Sequence, residues 1–455
     1  MVARKVWLLL TLTVLTAQES VRFDDYFSPL TLRLDLYHTG TKTQSCISLD
    51  EIIQEPVWAG SRIHLIDPFN YGEHLVSVFD LSTDRLLYTR GFSSLFAEWQ
   101  TTDEAAQEIF RTFSFSVLTP FPKKPVRITI ATRDRNNTFI TAFETTIDPE
   151  SRFVRRDRPS RVYKPRTLIH NGSPAQKVDI LLLPEGYTRH ELRQFHRDIK
   201  SLVKALFEEP PFRENRDKFN VWYLDVASPQ SGIDNPREFQ FVASAFDLTF
   251  NSFDLDRYVL AFNNKKIRDI AGNAPYDQLY FVFNSSKYGG GGIYNLFSTC
   301  YARSVEPDQA WIAQYVFVHE FGHAFAGLGD EYYTSDVAYN EFYPTDIEPW
   351  EPNLTVLENP DQLKWRDLVE AGTPLPTPWQ KTLYDETPRR ETQQSYDLLR
   401  SQQFWGKVGA FEGGGYSSNG IYRPFLDCRM FSKSLSPFCP VCQKAIREMI
   451  KIYAE

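Results

Sequence analysis

From about Phe23 to Ile147 the chain alternates between apolar and polar positions. Leu30, Leu32, Leu34 and Leu36 are interleaved with Thr31, Arg33 and Asp35, and Val126, Ile128 and Ile130 with Arg127 and Thr129. A period of two puts one set of side chains on each face of an extended segment, so these runs predict half-buried strands. Further short apolar runs at 75–81, 86–92 and 139–147 are bounded by Asp, Gly and Asn. Closely spaced strands of this kind predict an all-β sandwich over residues 18–150, interrupted by one helix near Asp103 to Thr112. Its His38, His64 and His74 are scattered in sequence and read as packed or surface side chains.

The pattern breaks at residues 151–176. Arg152, Arg155, Arg156, Arg158, Arg161, Lys164 and Arg166 punctuate a stretch that also holds Pro159 and Pro165. This predicts a solvated basic linker, with a protease-sensitive activation segment as the alternative.

A different style fills residues 177–455. The run from Val178 to Leu183 is nearly continuous in apolar residues, as in a strand covered on both faces. Thr188 and Glu191 have the spacing of a capping box. Behind it Leu192, Phe195, Ile199, Leu202, Val203 and Leu206 fall on one helical face. Strands are predicted at 219–227 and 278–284. A glycine run, Gly289, Gly290, Gly291 and Gly292, then precedes a candidate edge strand at 293–300. The next helix starts near Pro307 and stops at Gly327, a residue suited to a left-handed cap. It is apolar on nearly every side, which places it in the middle of a domain. The order predicts an α/β domain with a mixed sheet and a central helix.

Charge and cysteine content narrow the setting. Arg4 and Lys5, the apolar stretch from Val6 to Leu15 and the small Ala17 read as a signal peptide over residues 1–17. That stretch is too short to span a bilayer, and no later segment approaches such a length. The expectation is an exported chain, secreted or periplasmic, with no stable membrane insertion, and a monomer. The mature chain, about 435 residues, has room for two or three domains. A formal net charge of -8 argues against nucleic acid as a partner. Asn136, Asn171, Asn284 and Asn353 begin glycosylation sequons. Of five cysteines, Cys46 and Cys300 stand apart and Cys428, Cys439 and Cys442 cluster. Export predicts one disulfide within that cluster. A zinc site built on the cysteines is the alternative, though the sequence displays no fourth ligand for it.

The central helix carries the chemistry. His319 and His323 are one turn apart and stack on one face, with Glu320 beside them. Two imidazoles so placed bind one metal ion, and the glutamate lies where a general base acts on water. A catalytic zinc takes a third protein ligand, and no histidine follows His323. Asp330 and Glu331 follow at once, with Gly327 and Gly329 allowing a sharp return. Asp330 is the first choice, Glu331 the second, and Glu341 stands for a more distant carboxylate. Met430, in a cysteine-flanked loop before the last helix, reads on its own as core filler. The glycine run reads either as a rail along which a substrate strand adds or as a flexible loop. Tyr332, Tyr333 and Tyr416 are candidate oxyanion donors without an assigned role.

The run from His319 to Tyr332 resembles the signature of the IgA-peptidase family of zinc metallopeptidases, which are metzincin-like. So do Val178 to Tyr187, Tyr288 to Gly292, Glu351-Pro352-Asn353, Lys364-Trp365, and Cys428 to Met430 with Phe438 to Cys442. The resemblance spans 177 to the C-terminus, and the first half resembles the β-sandwich domain that precedes the peptidase in some members. It implies a secreted endopeptidase of protein or peptide substrates, with one Zn2+ held by His319, His323 and Asp330, Glu320 as catalytic base and Met430 in a Met-turn. One departure stands out. The metzincin glycine falls three residues after the second histidine, whereas Gly327 falls four after His323. Two rival readings share these features: an inactive peptidase-fold adhesin for glycoprotein or glycan, and a zinc amidase of cell-wall peptides.

Overall fold

The computed structural model describes residues 21–157, 162–304, 306–333, 343–387 and 392–454. The expected signal segment, 1–17, lies outside them. Among the described residues no helix is long and apolar enough to cross a membrane.

The first half is built of strands: β1 (Phe27–Gly40), β2 (Ser45–Glu55), β3 (His74–Asp80), β4 (Leu86–Phe92), β5 (Arg111–Pro122), β6 (Val126–Arg133), β7 (Phe139–Ile147) and β8 (Val154–Arg155). They form two four-stranded sheets, ordered β5-β1-β2-β8 and β4-β3-β6-β7. Leu32, Leu34 and Leu36 of one sheet and Val76, Val78, Ile128 and Ile130 of the other share one core. The alternation therefore sorts the apolar side chains as predicted. It fails for the polar set, because Arg33 (1 % exposed) and Asp35 are also buried. Arg33 bonds Asp35, Glu55 and, at 2.8 Å, Asp269 of the second half. The outer face of β1 is thus covered by the second half, and one buried guanidinium satisfies three carboxylates there.

The helix expected near 103–112 is two short pieces instead, Leu95–Gln100 and Asp103–Ala106. Ser94 and Thr102 each cap one of them. Arg111 and Thr112 already belong to β5, where Phe113, Phe115 and Val117 take up the strand period. The basic linker is ordered at both ends. Val154–Arg155 pairs in parallel with β2, Arg155 bonds Glu51 at 2.8 Å, and Arg166–Ile169 becomes a sheet strand. Of the candidate activation segment, 158–161 lie outside the described residues.

His38 and His74 are packed together. Their rings lie 5.6 Å apart and His38 stacks on Phe96. Burial lowers both, to about 4 and about 3 respectively. The unfolded chain then binds protons that the folded chain refuses, so stability is full above pH ~6.5 and declines as the pH falls toward those values. We expect a His74→Gln variant to lose less stability than the parent between pH 6.5 and 5, by about 1 kcal/mol per pH unit. Urea denaturation at each pH reads this directly, and identical slopes would contradict it.

The second half is a six-stranded sheet. Its strands are β9 (Arg166–Ile169), β10 (Val178–Glu185), β11 (Phe219–Tyr223), β12 (Gln278–Phe283), β13 (Gly290–Ile293) and β14 (Phe297–Tyr301), in the order β13-β14-β12-β10-β11-β9. The four inner strands run parallel and both edge strands antiparallel. Every residue of the central β10 is buried, as its apolar run requires. Helix α1 (Leu192–Leu206) buries Phe195, Ile199, Leu202, Val203 and Leu206. Its cap is half a box: Glu191 accepts from the backbone and hydroxyl of Thr188, and the helix begins after it. Helix α2 (Ala310–Ala326) follows a 3-10 turn at Pro307–Gln309 and is buried on nearly all sides. Helix α3 (Pro440–Tyr453) ends the fold.

The glycine run is itself the edge strand. Gly290–Ile293 forms β13, and the expected 293–300 strand splits into β13 and the inner β14, joined by a turn. The glycines are needed for close approach to α2. A Cβ on Gly292 would sit 2.3 Å from the Glu320 carbonyl, and one on Gly290 2.8 Å from Val316. The reading as a flexible loop gives way to tight packing.

Candidate active site

Helix α2 places its two histidines, and its end places the third group. Gly327 is left-handed (φ +63) and closes the helix, its amide donating to the His323 carbonyl at 3.0 Å. The residue by which the glycine is displaced is absorbed as one more helical position, Ala326. The chain then folds back along the helix. Asn353 clamps the return, accepting from the Gly329 amide at 2.8 Å and donating to the Gly329 carbonyl at 2.9 Å. The Glu331 amide donates to the Met430 carbonyl at 2.9 Å.

This return brings Asp330 Oδ1 to 3.1 Å from His319 Nε2 and 3.2 Å from His323 Nε2, while the two Nε2 atoms are 3.1 Å apart. Ligand atoms about 2.0–2.1 Å from one tetrahedral zinc are separated by roughly this much. The far side of each ring is fixed. His319 Nδ1 donates to the Arg429 carbonyl at 3.0 Å and His323 Nδ1 to the Leu328 carbonyl at 2.5 Å. A carbonyl can only accept, so both Nδ1 atoms carry the proton and both Nε2 lone pairs face inward. Asp330 Oδ1 is buried without a hydrogen-bond partner, and its Oδ2 accepts from Tyr416 Oη at 2.5 Å. Three acceptors converge on one point with no donor among them, and a cation fits that point. Burial opposes a proton on His323, yet the Asp330 carboxylate beside it raises its pKa to about 9.

Glu320 turns to the same cavity, which has a volume of about 340 Å³ and is lined by His319, His323, Asp330, Gly290, Gly291 and Gly292. Burial raises its carboxyl, with His319 and His323 pulling the other way. The first half of the chain reaches the cavity too, through Glu73, Ser93 and Glu98, and Tyr258 Oη bonds Glu98 at 3.2 Å.

Met430 is fully buried beneath α2, where its sulfur would lie 3.2 Å from a Cβ on Gly322. Its loop also holds the Arg429 carbonyl that orients His319. Several residues that build this floor were not singled out by sequence. Tyr315, one turn before His319, donates to the same Arg429 carbonyl at 3.0 Å. Glu209 takes Arg429 Nη2 at 2.8 Å and the Phe438 amide at 3.1 Å. Spacing on α2 was the available signal for Tyr315; nothing local marked Glu209.

Other expectations sort out plainly. Glu331 points away from the histidines toward Asn353 and Cys442, and Glu341 lies outside the described residues. Tyr416 meets Asp330, whereas Tyr333 bonds Asp385 at 2.8 Å. Tyr332 lines the cavity. Cys428, Cys439 and Cys442 do come together, but the expected disulfide is not formed: all five cysteines are free, with Cys46 exposed. Two sequons serve the fold: Asn353 is the clamp just described, and buried Asn284 bonds the Gly186 carbonyl at 3.0 Å.

A helical histidine pair closed by an aspartate, with a glutamate beside it in an open cavity, is the kind of site found in metallopeptidases. The chain belongs to the IgA peptidase M64 family: that family's model matches residues 167–450, and the model of the peptidase M64 N-terminus matches 22–144. No curated protein sequence matches the chain.

Proposed function

We propose that this peptidase is a secreted zinc-dependent endopeptidase in which Glu320 is the general base. The observation that carries the reading is the convergence of His319 Nε2, His323 Nε2 and Asp330 Oδ1 at 3.1–3.2 Å with their outer atoms already engaged. His319, His323 and Asp330 would hold a zinc ion, which would supply Lewis-acid polarisation of the scissile carbonyl and lower the pKa of a water toward about 7. Glu320 takes the proton from the attacking water and hands it to the leaving amine. Its burial suits it to both roles, because a raised carboxyl pKa lies nearer the working pH. Tyr416 holds the outer oxygen of Asp330. An extended substrate lies along the edge strand β13 beyond Gly290, whose backbone is already bonded to Arg257 and Val259. The Met430 loop acts as a Met-turn, the two sheets of the first half as a sandwich, and the central helix as that of a metzincin-like domain.

Residues 1–17 direct export in this reading. The decisive experiment is cleavage of a diverse peptide library by the mature chain. Internal cleavage that stops with a chelator and returns with zinc is expected. Zinc-loaded protein that binds a glycoprotein yet cuts no peptide would overturn the proposal in favour of an adhesin.

A further inference from the structure

Beneath the site just described, a second set of metal-ligating side chains has no part in the chemistry. Cys428, Cys439, Cys442 and Glu331 are all buried, and one ligand atom from each lies within 4.8 Å of every other. The sulfurs of Cys428 and Cys442 are 3.8 Å apart. Four thiolates about 2.3 Å from one tetrahedral ion would be separated by about 3.8 Å along each edge. Cys442 Sγ is 3.2 Å from Glu331 Oε1. The Cys439 amide donates to Cys428 Sγ at 3.2 Å, the kind of bond that stabilises a sulfur carrying negative charge.

Glu331 is the independent observation. Its side chain is 0 % exposed, Oε1 accepts from Asn353 Nδ2 at 3.0 Å, and Oε2 has no hydrogen-bond partner. A buried carboxylate oxygen left unsatisfied is costly. Arg423 is the buried cation whose charge acts on Glu331, yet its Nη atoms go to the carbonyls of Gly413 and Leu426. A disulfide would leave this oxygen as it is, and any pairing of three cysteines leaves one over. One divalent cation uses all three sulfurs and the carboxylate together.

We propose that Cys428, Cys439, Cys442 and Glu331 bind a second, structural zinc ion. Two of its ligands sit at the segments that shape the catalytic site. Glu331 directly follows Asp330, and Cys428 directly precedes Arg429, whose carbonyl orients His319. Cys439 and Cys442 open helix α3. The ion joins the Asp330 return, the Met430 loop and α3 at one point.

The inference does not require the catalytic reading, and the test separates them. The full mature chain carrying His319→Ala, His323→Ala and Cys46→Ser is loaded with cobalt(II). The first two changes remove the catalytic site and the third removes the exposed thiol. One equivalent of cobalt should remain, with the near-ultraviolet sulfur-to-cobalt charge-transfer absorption that imidazole and carboxylate ligands do not give. Adding Cys439→Ser should abolish that band, and Glu331→Gln should shift it. Because the cysteine variant can fail to fold, the parent is also weighed intact without reductant. A mass lower by two hydrogens, with a linked peptide from this cluster, overturns the proposal, as does cobalt-loaded protein lacking the band.

Discussion

Replacing Glu320 by glutamine is expected to lower kcat by about 10²–10⁴-fold, the usual contribution of a positioned acid–base group, while zinc content and thermal stability stay near those of the parent. The expectation rests on where Glu320 is and what it does not do. It sits between the two histidines on α2, yet the converging ligand atoms belong to His319, His323 and Asp330. Its backbone carbonyl accepts from Ser298 Oγ at 3.1 Å, a bond that the substitution leaves intact. Glutamine keeps the volume and loses only the capacity to take a proton. KM should therefore move little while kcat falls, the pattern of an interaction made only in the transition state. Zinc analysis, melting temperature and steady-state kinetics on one preparation check the three parts together. Full activity in the glutamine variant would remove the general base from the mechanism and leave only the metal site standing.

The pattern of residues carried the metal helix almost entirely. Its apolar surround, the one-turn histidine spacing and the cap at Gly327 are local features, and local features are what periodicity reports. The same holds for the fully buried β10. Other features depended on contacts made far along the chain. Arg33 and Asp35 alternate with leucines as solvent-facing residues should, but the second half covers them and Asp269 completes the ion pairs. The glycine run read as a rail for a substrate strand or as a loop, because glycine weakens strands; it is itself a strand, and α2 comes within a Cβ's distance of its backbone. Asn353 read as a sequon, and its clamp on Gly329 is visible only once the return after Gly327 is folded. The cysteine cluster shows the limit most clearly. Three cysteines near the C-terminus suggested a disulfide, and the fourth member of their group, Glu331, lies about a hundred residues upstream.

That fourth member also decides how the third catalytic ligand is tested. Asp330 and Glu331 are neighbours on an extended return, so their side chains leave in opposite directions: one toward the histidines at 3.1–3.2 Å, the other toward Asn353 and Cys442. We expect Asp330→Ala to abolish measurable peptidase activity and to weaken zinc at the histidine pair by well over the ~10–100-fold that loss of an outer partner costs. Tyr416→Phe supplies that smaller step, since its hydroxyl holds Asp330 Oδ2; a roughly 10–100-fold weaker zinc affinity, with kcat recovered at saturating zinc, is expected. Glu331→Gln should act mainly on stability, through the buried cluster, and its activity should stay closer to the parent than that of Asp330→Ala. Chelator titration of activity in the three variants ranks them. If Glu331→Gln loses the histidine-bound zinc and Asp330→Ala keeps it, the two carboxylates exchange roles. The return after Gly327 would then have to turn by one residue, which its anchors at Asn353 and at the Met430 carbonyl oppose.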